Sequence, residues 1–201
     1  MDDEEYKVEY TGRLGGLYSL SKTVFKGTVM RGRDEVKSDV VIKFTATYCE
    51  DAHRKLAEIG RAPRLRFCEL VDSVGMYVVI MDYEDGKHAC APSEERHIHD
   101  RCTPLVGERH IEELRTVVKT LHEEGYVHGD IREPNVLITA SGLKLIDFDW
   151  CGKEGTARYP ADIFLDCENM KWHKGVGRGG RIEKSHDEHM FECLTGRSFA
   201  K

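Results

Sequence analysis

Two polar stretches separated by a short apolar hairpin constrain the fold of this chain more than any other feature. The first stretch runs from His128 through Asp130 to Asn135, and the second is Asp147-Phe148-Asp149. Between them lie two apolar runs split by residues 139–142, a pattern typical of a β-hairpin. The hairpin would carry carboxylate and carboxamide groups on the loops at its strand ends. We therefore expect these loops to form a site of hard oxygen ligands.

Such ligands suit Mg²⁺, which keeps several waters and takes one or two carboxylates together with substrate phosphates. Far upstream, the apolar strand predicted at Asp39–Phe44 carries a single lysine, Lys43, which would supply the complementary cation for a phosphate. Phosphoryl transfer requires neutralisation of phosphate charge and a carboxylate that orients the attacking hydroxyl. These residues together indicate phosphoryl-transfer chemistry.

Composition places the chain among globular proteins. Its 201 residues suffice for one domain, or for two small lobes that share a cleft. Hydrophobic residues make up 40% and charged residues 33% of the chain, which excludes a disordered chain and a small disulfide scaffold. The net charge of -6 argues against a nucleic-acid partner, because no excess positive field attracts a polyanion.

Three features bear on location. The longest purely apolar run, Met76–Met81, is far shorter than the roughly 20 residues of a membrane span. The acidic start of the chain lacks the basic and apolar regions of a secretory signal. Seven cysteines occur at irregular spacings with no C-x-x-C pair, which favours reduced thiols over a disulfide framework. We therefore expect no membrane partner and a cytoplasmic or nuclear location.

Hydrophobic periodicity and turn signals predict a strand-rich first part and a helical second part. Residues 87–104 have no clear period, and Asp82–Gly86 has the polar composition of a joint. The predicted strands are Thr23–Met30, Asp39–Phe44, Leu65–Val71 and Met76–Met81, and the predicted helices are Glu50–Ile59, Glu108–Glu124 and Glu183–Leu194.

With these motifs in their predicted contexts, the chain resembles the protein-kinase-like superfamily from about Thr23 to Ile163. The stretch Leu121–Asp130 resembles the end of the long kinase helix entering the catalytic loop. The pattern H-G-D-x-x-x-x-N is similar to that of aminoglycoside phosphotransferases, and Leu145–Trp150 is similar to the I-D-F-E-Y stretch of choline kinases. The chain also resembles small kinase-like proteins of mushroom-forming fungi.

The resemblance implies an α+β fold, a minimal bilobal protein-kinase-like domain with a truncated C-terminal lobe. Residues 1–82 would form the N-terminal lobe, a sheet with one helix. Residues 83–201 would form the C-terminal lobe with the catalytic loop and the metal-binding hairpin. ATP and Mg²⁺ are the implied cofactors, and ATP would lie in the cleft under the hinge.

The resemblance also implies roles for individual residues. Asp130 would be the catalytic base, and Arg132 would contact the γ-phosphate, because a guanidinium can fork onto phosphate. Asn135 and Asp147 would hold Mg²⁺. The residues implied in nucleotide binding are Lys43, Asp51, Ser19, Lys22, Met81, Asp82 and Tyr83.

Among the implied nucleotide-binding residues, Lys43 would contact the α- and β-phosphates. Its helix carboxylate partner would be Asp51, with Glu50 and Glu58 as alternatives. Met81 would be the gatekeeper, and residues 82–84 the hinge that receives adenine through backbone bonds. The glycines of the kinase phosphate loop are replaced here, so side chains such as Ser19 and Lys22 would substitute for close backbone approach.

The predicted function is Mg-ATP-dependent transfer of the γ-phosphoryl group to a hydroxyl acceptor. The chain has no A-P-E motif, and few residues follow Asp147. We therefore expect a small molecule or an atypical protein substrate as the acceptor. The alternative is a nucleotide-binding pseudokinase that acts as a binding or scaffold module.

Other polar clusters are interpreted more simply. His128 and Phe148 are expected to pack in the core, and Asp162 to brace the catalytic loop, as the resemblance implies. The His/Cys residues of the stretch 88–102 fit a solvated linker better than a zinc site. His186 and His189, beside Asp187, are expected to form a surface charge cluster. The basic strip, Lys171–Lys184, fits a surface loop, with contact to an anionic substrate as the alternative.

Overall fold

A computed structural model describes residues 6–14, 23–31, 37–90, 102–104, 107–165 and 171–200. The chain divides into two compact units. The first unit is Met1–Tyr48 with Pro63–Glu84, and the second unit is Cys49–Ala62 with Asp85–Lys201. The change of unit near residue 84 lies close to the predicted division at residue 82. The helical segment 49–62 groups with the second unit, and the division into an N-terminal and a C-terminal lobe stays a prediction.

The described secondary structure contains eleven strands, three α-helices and one 3₁₀ turn at Glu133–Asn135. In chain order the elements are β1 (Tyr6–Arg13), β2 (Thr23–Arg31), β3 (Lys37–Thr45), α1 (Glu50–Glu58), β4 (Leu65–Val71), β5 (Met76–Asp82), β6 (Gly86–Cys90), β7 (Cys102–Pro104), α2 (Glu108–Glu123), β8 (Tyr126–Val127), β9 (Val136–Thr139), β10 (Gly142–Leu145), β11 (Gly152–Lys153) and α3 (Lys184–Thr195).

The first unit is a five-stranded antiparallel sheet in the order β1-β2-β3-β5-β4. Successive side chains of a strand point to opposite faces, and β3 is buried on both. Val40 and Ile42 pack with Val29 on one face, whereas Val41 packs with the cluster around Val79 on the other. Lys43 shares the face of Val41, and only 6% of its surface is exposed.

The second unit is built around α2 and the hairpin β9–β10. The hairpin joins β6 and β7 in a sheet of order β10-β9-β6-β7, and β8 pairs with β11. The apolar residues of α2 recur at helical spacing and are buried, as the sequence predicted. These residues are Ile111, Leu114, Val117, Val118 and Leu121. The three predicted helices and the hairpin are confirmed within one or two residues at each end.

Strands β1, β6 and β7 and the two-residue strands β8 and β11 were not predicted. Residues 87–104 are polar, so their own sequence gives little β signal, but β6 pairs with β9 and with β7. Gly86 allows this pairing, because a Cβ there would lie 2.6 Å from the carbonyl oxygen of Ile138. Tertiary pairing therefore overrides weak local propensity here. Among the described residues, no helix is both long and apolar enough to span a bilayer.

Candidate active site

The loop of residues 128–135, predicted to be the catalytic loop and given that name below, begins directly after β8 with a glycine turn. Gly129 has a φ of 77°, in the left-handed region, and a Cβ at this position would lie 2.7 Å from the Cδ1 atom of Ile182. Only glycine satisfies both conditions. This turn carries the chain into Asp130, whose surface is only 3% exposed.

The carboxylate of Asp130 is held by two side chains of its own loop. Arg132 donates from Nε to Oδ1 at 2.5 Å and from Nη2 to Oδ2 at 3.1 Å. Asn135 donates from Nδ2 to Oδ2 at 2.6 Å. Bidentate, charge-assisted hydrogen bonds of this kind are among the strongest and most directional in proteins. Asp130 is therefore an oriented, buried acceptor.

The orientation of the Asn135 amide decides which of its atoms can meet a cation. Its Nδ2 also donates to the main-chain oxygen of Asp130, at 2.9 Å. Because both bonds to Asp130 use the nitrogen, the amide oxygen of Asn135 points away from them. An amide oxygen beside a carboxylate is a donor set that Mg²⁺ accepts.

Asp147 follows β10 and has an unusual backbone. Its φ is 70°, the only positive value of a non-glycine residue among the described residues, and such conformations cluster at functional sites. The amide of Ile146 donates to the carbonyl oxygen of Asn135 at 2.9 Å. This bond brings the two predicted metal ligands, Asn135 and Asp147, onto adjoining segments.

Phe148 fixes the position of Asp147 by packing. It is fully buried, stacked on His53 of α1 at a centroid distance of 4.6 Å and an interplanar angle of 6°. The ring of His128 meets it edge-on at 5.4 Å. The prediction that His128 and Phe148 are core residues is confirmed.

His128 is held neutral by its surroundings. Complete burial is the main cause that lowers its pKa, and the nearby carboxylates of Asp187 and Asp130 oppose that shift. Its Nδ1 accepts a hydrogen bond from the amide of Asp130 at 3.2 Å, so the proton of the neutral ring lies on Nε2. His128 therefore holds the catalytic loop and is poorly suited to carry charge.

Asp187 on α3 braces the catalytic loop. Its side chain is 1% exposed, and it accepts hydrogen bonds from the amides of His128 and Gly129 at 2.8 and 2.7 Å. His122 of α2 lies 3.2 Å from the same carboxylate. The prediction that Asp162 has this role is wrong, because Asp162 is exposed.

The apolar pattern of α3 indicates that Asp187 is buried. It shares one face of α3 with Met190, Phe191 and Leu194, at intervals of three, four and seven residues. All of these are buried. His186, which is 2% exposed, is buried too, so the predicted surface charge cluster is wrong for His186 and Asp187.

The remaining predicted nucleotide residues lie on several elements. Lys43 is on β3, Met81 is buried on β5, and Asp51 lies on α1. The amide of Asp82 donates to the oxygen of Arg64 at 2.9 Å, and that of Tyr83 donates to the oxygen of Asp39 at 3.0 Å. These two amides are therefore engaged within the first unit.

Other side chains predicted to bind nucleotide have partners within their own unit, or belong to residues outside the described ones. The carboxylate of Asp82 pairs with Arg66. Asp51 accepts a hydrogen bond from the hydroxyl of Tyr126 at 3.3 Å, and Glu50 pairs with Arg54. Ser19 and Lys22 lie outside the described residues.

Comparison with known proteins places these observations in a family. Residues 70–170, just over half of the chain, match the RIO domain family. The chain belongs to the RIO domain family. The matched residues include Asp130, Asn135 and Asp147, whereas Lys43 and Asp187 lie outside the match.

Individual relatives of this RIO-domain chain are protein kinases. Ribosomal protein S6 kinase beta of Caenorhabditis elegans is 24% identical over 217 residues, which cover 97% of this chain and 36% of that protein. The human serine/threonine-protein kinase MRCK gamma is 31% identical over 74 residues, 36% of this chain and 5% of that protein. The chain thus spans about a third of the first relative and a small part of the second.

A solved structure supports the fold. The kinase PK-1 of the Cydia pomonella granulovirus superposes with a TM-score of 0.65 at 19% identity, covering 94% of this chain and 69% of that chain. The predicted α+β, protein-kinase-like fold is therefore confirmed. The finer resemblance to aminoglycoside phosphotransferases, choline kinases and fungal proteins stays a prediction.

Two other predicted clusters have mixed outcomes. Among the described residues, no group of three or more His, Cys, Asp or Glu side chains is placed to hold a metal ion. His97 and His99 of the suggested zinc stretch lie outside those residues. In the basic strip Lys171, Lys174, Arg178 and Arg181 are exposed, whereas Lys184 pairs with Glu154 at 3.1 Å. Binding of an anion by this strip stays a prediction.

Proposed function

We propose that this RIO-domain chain is a phosphotransferase that moves the γ-phosphoryl group of Mg-ATP to a hydroxyl acceptor. The observation that carries the proposal is the buried carboxylate of Asp130, gripped by Arg132 on one side and by Asn135 on the other. A carboxylate held this firmly can orient a hydroxyl group and accept its proton.

Orientation is the main contribution that the catalytic loop would make. Phosphoryl transfer has little covalent chemistry for the protein to perform, so positioning and electrostatics dominate. Asp187 supports this role by holding the amides of His128 and Gly129, the two residues before Asp130. The guanidinium of Arg132 already forks onto two carboxylate oxygens, and the same geometry suits two phosphate oxygens.

The oxygen atoms of Asn135 and Asp147 are ligands of the kind that the Mg²⁺ of a bound nucleotide accepts, which supports the proposal. When bound, Mg-ATP supplies the transferable phosphoryl group, and its metal neutralises phosphate charge. The amide oxygen of Asn135 and the carboxylate of Asp147 would hold the metal. Lys43 would contribute the cation for the phosphates, and Met81, Asp82 and Tyr83 would contact the base.

One feature of the sequence bears on the acceptor. The absence of an A-P-E motif favours a small molecule, or an atypical protein substrate, over a peptide docked in the usual kinase manner. The related kinases span far more than this chain matches, so their substrates do not define its acceptor.

Binding of nucleotide without turnover is the second candidate. It is favoured by one consequence of the ion pair: Arg132 engages both carboxylate oxygens of Asp130, and one of these bonds must break before the carboxylate accepts a proton. It is also favoured by the replacement of the phosphate-loop glycines in the sequence. A scaffold of this kind would bind ATP and transfer nothing.

A thermal shift measurement tests nucleotide binding. ATP with Mg²⁺ is expected to raise the melting temperature of the wild type, and Asp147→Asn is expected to remove the Mg²⁺-dependent part of the shift. Asp162→Asn, at an exposed position, serves as the matched control and should shift like the wild type. A shift without any metal dependence favours the binding module, and no shift in either condition contradicts both functions.

A further inference from the structure

Two cysteines of the second unit meet beside the predicted metal-binding loop. Cys49 is the N-terminal capping residue of α1. Cys151 lies just after the Asp147-Phe148-Asp149 motif and immediately before β11. The two residues are far apart in sequence and come from different elements, so their proximity is a feature of the fold.

A backbone hydrogen bond and a ring stack hold the start of α1 against the segment that leads to Cys151. The amide of Cys49 donates to the carbonyl oxygen of Phe148 at 3.1 Å, and His53, one turn further along α1, stacks on the Phe148 ring at 4.6 Å. The thiols of Cys49 and Cys151 are in hydrogen-bonding contact, and both are free. Formation of a disulfide, with its S–S distance of about 2.05 Å, would replace this hydrogen-bonding contact.

The two thiols differ in exposure and in pKa, so that one can react first and the other second. Cys49 is half-buried, so a small oxidant can reach it, whereas Cys151 is 9% exposed. The hydrogen bond from Cys151 is the main cause that lowers the pKa of Cys49, and the amide of Ala52 at the start of α1 acts in the same direction. Burial raises the pKa of Cys151 well above its usual range. Thiolates rather than thiols attack peroxides, which makes Cys49 the attacking sulfur and Cys151 the resolving one.

We propose that Cys49 and Cys151 form a reversible disulfide when the protein meets hydrogen peroxide. In the first step the Cys49 thiolate attacks one peroxide oxygen; with one proton taken up, Cys49 sulfenic acid and one water form. In the second step the Cys151 sulfur displaces the hydroxyl group of the sulfenic acid, with its own proton leaving in a second water. Two thiols and one peroxide thus give one disulfide and two waters, and a dithiol reductant reverses the change.

The bond would join the start of α1 to the segment that follows Asp147. Both partners of the His53–Phe148 stack lie within four residues of the new cross-link. The disulfide would therefore restrict separate movement of α1 and of the loop that carries Asp147. Reversible disulfides of this kind are the ones that occur in reducing compartments.

Peptide mapping after oxidation tests the proposal without any assay of phosphotransfer. The purified full-length protein is treated with a small excess of hydrogen peroxide, free thiols are alkylated, and the digest is analysed by mass spectrometry. A peptide pair joined through Cys49 and Cys151 is expected, and dithiothreitol should restore both thiols. Oxidation should also raise the melting temperature of the wild type by about 5 °C or more, because the bond closes a long loop.

Two variants make the result specific. Cys49→Ser should fold, because serine is a favourable N-cap, and it should lose both the cross-link and the rise in melting temperature. Cys193→Ser removes another half-buried thiol of the second unit and should retain both. The proposal is overturned if Cys49 stops at sulfinic acid while Cys151 remains alkylatable, if either cysteine pairs with a different one, or if neither reacts.

Discussion

The carboxylate of Asp187 accepts a hydrogen bond from the backbone amide of Gly129 at 2.7 Å. A second bond, from the amide of His128 at 2.8 Å, reaches the other oxygen of the same carboxylate. One buried side chain of α3 thus satisfies two consecutive amides at the start of the catalytic loop. The loop conformation therefore depends on a helix more than fifty residues downstream in the sequence.

Replacement of Asp187 should weaken the fold and the catalytic loop together. Asp187→Asn keeps the size of the side chain but removes one acceptor, and hydrogen bonds to a buried charge contribute about 1.5–3 kcal/mol each. We expect a loss of about 2 kcal/mol in the free energy of unfolding, measured by urea titration. Asp162→Asn, on an exposed residue, should stay within about 0.5 kcal/mol of the wild type. Equal stability of the two variants would contradict the bracing role.

Variants can distinguish two roles of Asp51: its contact with Tyr126 and its predicted pairing with Lys43. If Asp51 serves mainly as the partner of the Tyr126 hydroxyl, Asp51→Asn and Tyr126→Phe should each lower stability by about 1 kcal/mol. The double variant should then lose less than the sum. Asp51→Asn should leave the affinity for ATP close to that of the wild type, whereas Lys43→Met should lower it. A loss of affinity in Asp51→Asn equal to that in Lys43→Met would instead support the Lys43 pairing.

Sequence patterns predicted the elements whose structure depends mainly on neighbouring residues. The hairpin of β9 and β10 and helix α2 have strong apolar periodicity, so their positions follow from sequence alone. The residues of the catalytic loop, Asp130, Arg132 and Asn135, are close in sequence, and the structure brings their side chains together. A short loop leaves them little freedom to separate.

Features that depend on long-range packing could not be predicted in the same way. Strand β6 has a polar sequence and forms because β9 offers it a partner. In the sequence, Asp187 is one of several charged residues in the predicted last helix. Its burial depends on where α3 packs. Helix α1 was predicted correctly, but its membership of the second unit rests on contacts such as the stacking of His53 on Phe148.

Buried histidines should make stability depend on pH on the acidic side. Burial is the main cause that lowers the pKa of His128 and of His186 below the ordinary value of 6.5. The unfolded chain therefore takes up protons at pH values where the folded chain does not. This contribution to stability is full above pH 6.5 and is lost progressively as the pH falls below it. We expect a lower urea midpoint at about pH 5.5 than at about pH 7.5.

The variant His128→Gln tests how much of this pH dependence comes from His128. His128→Gln removes a buried titrating group, so the difference between the two midpoints should shrink even if the variant is less stable at both pH values. An unchanged difference would show that His128 does not take part. A wild-type midpoint that is the same at both pH values would contradict the burial argument altogether.

Arg132 is expected to support phosphoryl transfer through the bidentate geometry of its guanidinium group and not through its charge alone. Arg132→Met should reduce phosphoryl transfer by about a hundredfold, the order observed when one donor to a transition state is lost. Arg132→Lys should recover only part of the activity, because an ammonium group cannot form the bidentate contact. Steady-state rates of the three proteins test this. Full activity in the methionine variant would exclude a role in transfer.

Transfer from radiolabelled ATP is the most direct test of the proposed phosphotransferase function. The full-length protein is incubated with Mg²⁺, ATP labelled on the γ-phosphate, and either a metabolite extract or a protein extract. The wild type and the exposed control, Asp162→Asn, should transfer label to an acceptor. Asp130→Asn should transfer none while ATP with Mg²⁺ still raises its melting temperature. Equal labelling by the wild type and Asp130→Asn, or no labelling by a wild type that binds Mg-ATP, would contradict the phosphotransferase function.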